Sequence, residues 1–322
     1  MGKHFREMGR CILPLLTICA GLCLMAYPWI GNWLHERSVD STVDAYEEKA
    51  CGLDRADTER MWENASQYNE RLAKTKVVLT DPFTFTDENG RDIAYESVLS
   101  IDGTQVMCSV DIPKIDVCLP VYHGTSETVL KKGAGHLEGS SFPIGGESAH
   151  AVISAHTGLS TAKMFTDLTE LKEGDIFFLH VLDRTLAYSV CSIQVVLPEE
   201  TEPLSIQKGR DIVTLLTCTP YGVNTHRLLV TGERTEYSEE VQKEAESAAE
   251  SDAGNQSQWM RSYKRAVLAG LLLVLVLYAC MKMWALSVRI RKIRRKRKMR
   301  RIRKRMRKRT ITIKRTGQDG KV

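Results

Sequence analysis

The chain has 322 residues, 43% of them hydrophobic, which gives room for one ordinary core plus accessory segments and not for several large cores. Its net charge of +5 conceals an uneven distribution. Residues 289–322 hold 19 of the 45 Lys and Arg residues and a single acid, Asp319, which leaves 26 basic and 39 acidic residues elsewhere. A single isoelectric point therefore describes neither part of the chain.

Two apolar segments, 11–30 and 263–288, are long enough to span a bilayer. Basic residues precede the first segment and follow the second. Because positive charge favours the cytoplasmic side, residues 1–10 and 289–322 are predicted to be cytoplasmic. The acidic region 31–262 then faces outward. This topology predicts a multi-pass protein of the cell membrane.

The first apolar segment could also be a cleaved signal peptide. Its end, at Tyr27, Pro28 and Trp29, lacks a small-x-small cleavage site, which favours an uncleaved signal-anchor. The basic tail 289–322 is interpreted first as a topology determinant lying on anionic lipid. Partner binding comes second. Nucleic-acid binding comes last, because the tail is membrane-tethered and lacks aromatic residues for base stacking, so no nucleic acid is expected.

The outer region begins with a helical arm, 31–78, where apolar residues recur at three- and four-residue spacing and predict two helices. Segment 79–100 is predicted to be a loop, because Pro82 biases Asp81 toward an extended conformation. A Glu-, Ser-, Ala- and Gln-rich spacer, 236–262, is expected to join the folded region to the second apolar segment.

Residues 101–235 have the composition of a mainly β domain, a barrel or a sandwich. One helix is expected at 161–171, and a hairpin over 175–197 is expected to turn near Asp183-Arg184. The other predicted strands are 106–121, which Pro113 and Pro120 limit, 151–155, 212–217 and 228–231.

The last two strands carry the most informative pair of residues, Cys218 and Arg227. A strand-turn-strand can place the thiol beside the guanidinium, and a nearby cation favours the nucleophilic thiolate. The same cation can hold a developing oxyanion. The alternative interpretations are a buried structural cysteine and a surface arginine. Each alternative explains one of the two residues well, but the two together explain the pair less well.

A thiol nucleophile also needs a group that handles protons. His156 closes the run 151–155 and precedes a glycine turn, which places it at a rim where sites tend to lie. For any single histidine of this chain, a surface or structural role is the stronger interpretation from pattern alone. No Cys or His spacing indicates zinc. The sequence does not decide whether the other outer cysteines form disulfide bonds; they are Cys51, Cys108, Cys118 and Cys191.

The stretch Thr-Leu-Leu-Thr-Cys218-Thr-Pro-Tyr-Gly-Val-Asn-Thr-His-Arg227 resembles the active-site signature of sortases of class C, the pilin-polymerising type. Upstream blocks resemble the same class in order: Ile112-Pro-Lys-Ile-Asp, Leu119-Pro-Val-Tyr-His-Gly-Thr-Ser126, Gly135-His-Leu-Glu-Gly139, Phe142-Pro-Ile-Gly-Gly146 and Ser154-Ala-His156-Thr-Gly-Leu. The chain departs from this class at Ala155 and Thr157, where Gly and Arg often stand. The resemblance covers about residues 80 to 235.

The resemblance implies a closed, mainly antiparallel sortase β-barrel with short helices, an N-terminal helical arm and two flanking transmembrane helices. Cys218 would attack the Thr–Gly bond of an LPXTG-like sorting signal, His156 would transfer protons, and Arg227 would hold substrate and oxyanion. The implied partners are pilin precursors and their acceptor lysine, without a cofactor or metal. The departures at Ala155 and Thr157 leave these roles in place and put only the rim of the site in question.

Segment Asp81-Pro82-Phe83 resembles the lid of class C sortases. The implied geometry places the Phe83 ring over the cysteine and the Asp81 carboxylate on Arg227. Without this resemblance, an ordinary Asp-Pro turn would be the simpler interpretation. Two other functions stay open from sequence: a cell-wall-anchoring sortase of another class, and a non-enzymatic membrane scaffold.

Overall fold

A computed structural model of the chain forms two units, Met1–Ser262 and Tyr263–Val322, which we treat separately. It describes residues 2–75, 77, 79–83, 93–101, 104–159, 161–252, 260–276, 278–280, 282–284, 286–287 and 290. Apart from residue 290, the basic tail 289–322 lies outside these residues. Its contact with anionic lipid therefore stays a prediction.

Eight strands of the first unit close into a barrel in the order β1-β2-β3-β4-β7-β8-β6-β5. All neighbouring pairs are antiparallel except β2–β3 and β4–β7, which are parallel. The predicted mainly antiparallel barrel is therefore confirmed, and the sandwich alternative is wrong. The strands are β1 (Val106–Ile112), β2 (Val117–His123), β3 (Ala134–His136), β4 (Ala149–Ser154), β5 (Ile176–Val181), β6 (Arg184–Val196), β7 (Asp211–Thr219) and β8 (His226–Thr235).

Strand β7 is buried on both faces, which explains its nearly continuous run of apolar and β-branched residues. Val213 and Leu215 point into the main core, inside the barrel. Leu216 belongs to a second, smaller apolar cluster on the opposite face of the sheet. A covering layer must therefore lie outside the barrel at β7.

The predicted helical arm consists of two helices, α1 (Gly2–Cys51) and α2 (Arg55–Ala73). The apolar stripe of α1 packs on the barrel, and the Tyr46 hydroxyl donates to the Met107 carbonyl (2.8 Å) and accepts from the Leu182 amide (2.9 Å). The two-helix prediction is confirmed. The first helix is longer than expected, because it runs on without a break from the first apolar segment.

One helix among the described residues, α6 (Met260–Trp284), has the length and apolar composition to cross a membrane, with a mean hydropathy of 2.3. It overlaps the predicted second span, 263–288. The predicted first span, 11–30, lies within α1, but α1 does not meet the same criteria over its described residues. Two flanking transmembrane helices therefore stay a prediction.

One local prediction is wrong. Segment 161–171 is not an α-helix and contains only a short 3-10 turn, Leu168–Glu170. The reason is that Met164 has a positive φ of 45° and the Phe165 amide donates to the His156 carbonyl (3.1 Å), outside the helical pattern. The predicted spacer, 236–262, contains helix α5 (Glu239–Asp252), and its role as a spacer stays a prediction. The described elements also include short helices α3 (Ile93–Glu96) and α4 (Glu127–Leu130) and 3-10 turns at Pro113–Ile115 and Glu202–Leu204.

The outer cysteines are free thiols in this structure, including Cys51, Cys108, Cys118 and Cys191. A Cys108–Cys118 bridge does not form. The two residues lie on adjacent strands, but Cys108 stands opposite Val121 and Cys118 stands opposite Asp111. Burial raises the pKa of the Cys108 thiol, so this side chain behaves as part of the core.

Candidate active site

The hairpin of β7 and β8 places Cys218 directly opposite Arg227. Residues opposite each other in an antiparallel pair project to the same face, so the thiol and the guanidinium share one side of the sheet. Both residues are buried. The guanidinium also donates to the carbonyls of Asn224 (3.2 Å) and His226 (3.1 Å), which fixes it at the base of the turn.

The parallel pair β4–β7 brings His156 to the same end of the barrel. Ser154 is the register partner of Leu216, and two residues further on the two chains reach His156 and Cys218. Two hydrogen bonds hold this arrangement. The Ala155 amide donates to the Leu216 carbonyl (3.1 Å), and the Thr217 hydroxyl donates to the Ala155 carbonyl (2.7 Å).

Asp81 forms a two-bonded ion pair with Arg227, as the lid resemblance implied. The Nε and Nη2 atoms of the arginine donate to Oδ1 (2.6 Å) and Oδ2 (2.7 Å) of the carboxylate. Both side chains are buried, so water screens this pair little. The carboxylate therefore occupies the hydrogen-bonding edge of the arginine.

Phe83 covers the site from the same segment. Its ring centroid lies 5.6 Å from that of His156 and 5.2 Å from the Arg227 guanidinium carbon. Between Asp81 and Phe83, Pro82 lies in a turn, where its ring fixes the backbone φ. The predicted residues Cys218, Arg227 and His156 thus meet with Asp81 and Phe83 in one place.

The segment before the lid is anchored by Leu79, which packs into the second apolar cluster. The other buried members of this cluster are Leu137, Val152, Leu204, Leu216 and Leu229, and Phe83 and Val196 pack against it. Leu216 and Leu229 are opposite each other, one same-face position from Cys218 and Arg227. The cluster therefore continues the active-site face of the sheet.

A groove of about 1160 Å³ lies alongside this cluster. Val77, Leu79, Val196, Leu204 and Ile206 give it apolar walls, and Glu199, Glu200 and Glu202 stand at its side. Val196 is the register partner of Arg227, so the groove borders the Cys218–Arg227 pair. An extended apolar peptide could follow this groove to the thiol.

The electrostatics keep the closed site in a resting protonation state. Burial raises the pKa of the Cys218 thiol; Arg227 lowers it and Asp81 raises it again. Burial also lowers the pKa of His156. A neutral thiol and a neutral imidazole are therefore favoured over a thiolate–imidazolium pair. The cation beside the thiol, which the sequence predicted to favour the thiolate, is outweighed in this closed site by burial and by Asp81.

Two other histidines of the barrel have structural roles. His136 and His150 are buried, and their ring nitrogens bond within the domain, His150 to the Ser205 carbonyl (2.9 Å) and the Thr214 hydroxyl (2.8 Å). Among the residues that the structure describes, no group of His, Cys, Asp and Glu could hold a metal ion. Sequence reasoning missed the contributions of Thr217 and Leu79, since neither residue type carries a chemical signal at its position.

Comparisons with known proteins agree with this geometry. A model of the sortase domain matches residues 110–235. Sortase A of Streptococcus agalactiae is 30% identical over 150 residues, which cover 44% of this chain and 60% of that protein. The chain therefore spans less than two thirds of that relative's length.

Solved structures match over more of their length. Sortase C of Streptococcus pneumoniae, whose crystal structure bears on catalysis and pilin substrate specificity, is 45% identical with a TM-score of 0.56, covering 61% of this chain and 97% of that one. Sortase C-1 of Actinomyces oris is 48% identical with a TM-score of 0.53, covering 56% and 99%. With its barrel matched by the sortase domain and its solved relatives in class C, the chain belongs to the sortase family.

Proposed function

We propose that the chain is a membrane-anchored cysteine transpeptidase that cleaves LPXTG-like sorting signals between Thr and Gly and passes the acyl group to a pilin lysine. The observation that carries this proposal is the shared face of Cys218 and Arg227, with His156 at the same end of the barrel. A nucleophile, a cation for the oxyanion and a proton-transfer group are the parts that acyl transfer needs.

The reaction proceeds in two halves. Cys218 gives its proton to the His156 imidazole and attacks the Thr carbonyl as the thiolate, and Arg227 holds the negative oxygen of the tetrahedral intermediate. His156 protonates the leaving Gly amine, and a thioacyl-enzyme remains. An incoming lysine amine then loses a proton to His156 and attacks the thioester, which releases Cys218 and leaves an amide bond to the lysine.

The lid sets a condition for the first half. Arg227 cannot receive substrate oxygen while its Nε–Nη2 edge holds Asp81 and its Nη1 atom bonds to the Asn224 and His226 carbonyls, and Phe83 stands beside the imidazole. The groove lined by Val196 and Leu204 is suited to the apolar residues of a sorting signal once the lid residues Asp81 and Phe83 have moved. On this proposal the closed structure is a resting form.

The test is a thioacyl adduct. The full chain is incubated with an LPXTG-type peptide, alone and with the lid opened by Asp81→Ala and Phe83→Ala, and intact mass is measured. An adduct that maps to Cys218 and is lost in Cys218→Ala supports the proposal. If the lid-opened chain forms no adduct, the proposal is contradicted. The non-enzymatic membrane scaffold is then the alternative that is left.

The acceptor separates the class C proposal from a cell-wall-anchoring sortase. The pilin substrate specificity associated with the pneumococcal relative favours a pilin lysine over a cell-wall amine. A ladder of polymer formed from purified pilin by this chain is the expected result. A single product with a cell-wall peptide amine, and no ladder, would favour the other class. An extracytoplasmic position on a Gram-positive cell envelope follows from either version.

A further inference from the structure

The loop that follows His156 is fixed at several points along its backbone. The Phe165 amide donates to the His156 carbonyl (3.1 Å), which closes the loop on the histidine itself. The Gly158 amide donates to the Thr166 hydroxyl (3.1 Å). Met164 adopts a positive φ of 45°, a conformation that costs free energy in a non-glycine residue and persists only where its surroundings hold it. The position of this loop therefore sets the position of His156.

Helix α1 supplies one of those fixed points. The Asn32 side-chain oxygen accepts a hydrogen bond from the Lys163 amide (2.8 Å), in the middle of the loop. The Asn32 side-chain nitrogen donates to Glu36 (2.7 Å), which fixes the orientation of the amide group. Asn32 is buried, so water competes little for these bonds.

The helix approaches the loop closely at the preceding residue. A methyl group at Gly31 would lie 2.8 Å from Thr161 Cγ2, closer than carbon atoms pack. Glycine at this position therefore permits the approach that Asn32 needs. Gly21, in the same helix, would have nothing within 4 Å of such a methyl group.

The same turn of α1 lies where the predicted first span ends. Exposed Tyr27, Trp29 and Trp33 surround it, and exposed aromatic residues of this type are typical of a membrane–water interface. Further along α1, Val39 and Tyr46 pack on the barrel. One rigid helix thus joins the predicted bilayer surface, the active-site loop and the barrel wall.

We propose that Gly31 and Asn32 act as positioning residues for His156, so that the membrane-anchoring helix is part of the catalytic apparatus. The proposal rests on the proposed function, because it assigns His156 the proton transfers. Asn32 touches no substrate and acts through the backbone of residues 157–165. A displacement of this loop by about 1 Å is enough to cost a large factor in rate, since proton transfer depends on hydrogen-bond geometry.

The first experiment compares Gly31→Ala with Gly21→Ala in the full chain, reconstituted in lipid nanodiscs. Both carry Asp81→Ala and Phe83→Ala, so that lid opening does not limit the rate. Gly31→Ala is expected to lower kcat for transfer of an LPXTG-type peptide to a lysine peptide by about tenfold, with KM unchanged. Gly21→Ala adds the same methyl group in open space and should leave kcat unchanged. Equal kcat in the two variants would overturn the proposal.

The second experiment separates positioning from simple loss of a contact. Asn32→Ala removes the acceptor for the Lys163 amide and should lower kcat to a similar degree. The exchange Asn32→Asp with Glu36→Gln keeps an oxygen for that amide and reverses the bond between residues 32 and 36, so it should restore most of the rate. If the exchange variant is as slow as Asn32→Ala, the hydrogen bond to Lys163 is not what matters and the proposal is wrong.

Hydrogen exchange gives a readout that does not depend on activity. Exchange in a peptide spanning 157–165 should be faster in Asn32→Ala and slow again in the exchange variant. If the parent chain forms no thioacyl adduct, the proposed function fails while this measurement still decides whether α1 holds the loop. Unchanged hydrogen exchange in Asn32→Ala would show that Asn32 of helix α1 does not hold the loop 157–165 in place.

Discussion

Asp81 and Arg227, 146 residues apart in the chain, meet through two hydrogen bonds of 2.6 and 2.7 Å with both side chains buried. This pair joins the lid segment to the strand that faces Cys218. A carboxylate in this place neutralises the charge that would otherwise favour the thiolate. The resting site is therefore restrained in two ways, by occupation of the arginine and by the electrostatics of the thiol.

Replacing Asp81 should make Cys218 a stronger acid. In Asp81→Asn the carboxylate that raises the thiol pKa is lost and the lowering influence of Arg227 remains. The rate of Cys218 alkylation against pH should shift toward lower pH, with about a tenfold faster rate at a fixed pH below the midpoint for each unit by which the pKa falls. Alkylation is read by intact mass. Asp183→Asn, which removes an exposed carboxylate in a distant turn, is the control, and an unmoved Asp81→Asn curve would contradict the assignment.

Phe83 should act mainly as a cover. Phe83→Ala removes the ring that contacts His156 and Arg227, so peptide hydrolysis and thiol labelling should both increase. Phe83→Leu keeps an apolar side chain against the second apolar cluster. Its labelling rate should lie between those of the natural chain and Phe83→Ala. Labelling rates with a neutral alkylating reagent measure this. Equal labelling in all three proteins would show that the ring does not limit access.

Thr217 should position His156 from the side of β7. Thr217→Val deletes the hydroxyl that donates to the Ala155 carbonyl and leaves a buried acceptor with one partner fewer, at a cost of about 1–3 kcal/mol of stability. We expect a lower kcat with little change in KM. Thr217→Ser keeps the donor and should retain most of the activity. A serine variant as slow as the valine variant would assign the effect to packing instead.

The buried histidines should make stability pH-dependent. Burial lowers the pKa of His150 to about 4, below its ordinary value, so between these values the unfolded chain binds more protons than the folded chain. The contribution of His150 to the free energy of unfolding is fully present at pH 7.5 and is lost as the pH falls through 6.5. The loss should reach about 2 kcal/mol at pH 5.

A variant comparison isolates this contribution, because Asp111, whose pKa burial raises to about 6, works in the opposite direction as it gains a proton. His150→Asn keeps a donor for the Ser205 carbonyl and cannot titrate. Its free energy of unfolding in urea should be lower at pH 7.5 but should fall less between pH 7.5 and 5 than that of the natural chain. Parallel pH curves for the two proteins would contradict the assignment.

Local patterns predicted the long strands β5 to β8, but not the short strand β3 or the structure of segment 161–171. The consecutive buried residues of β5 and of the first half of β6, and the apolar run in β7, appear directly in the sequence, so these strands and the hairpin between β5 and β6 were predictable. Segment 161–171 has helical spacing, but its backbone is held by Asn32 and His156, which are distant in sequence. No window of neighbouring residues contains that information.

The candidate site divides in the same way. Cys218 and Arg227 could be paired from sequence because one short turn joins their strands. His156 depends on the parallel pairing of β4 with β7, a long-range contact, and so rested on resemblance. Asp81 and Phe83 also needed that resemblance, since a lone Asp-Pro pattern is compatible with many turns. Thr217 and Asn32 could be found only from their hydrogen bonds.

Helix α1 runs as one piece from Gly2 to Cys51, a length of about 75 Å at 1.5 Å per residue. With residues 11–30 in the bilayer as predicted, this continuous helix restricts the movement of the barrel more than a flexible linker would. The Cys218 thiol would be held at a fixed distance from the membrane surface. Substrates that are themselves lipid-anchored would then meet it by lateral diffusion, at a high effective concentration, provided that their sorting signals reach the same height.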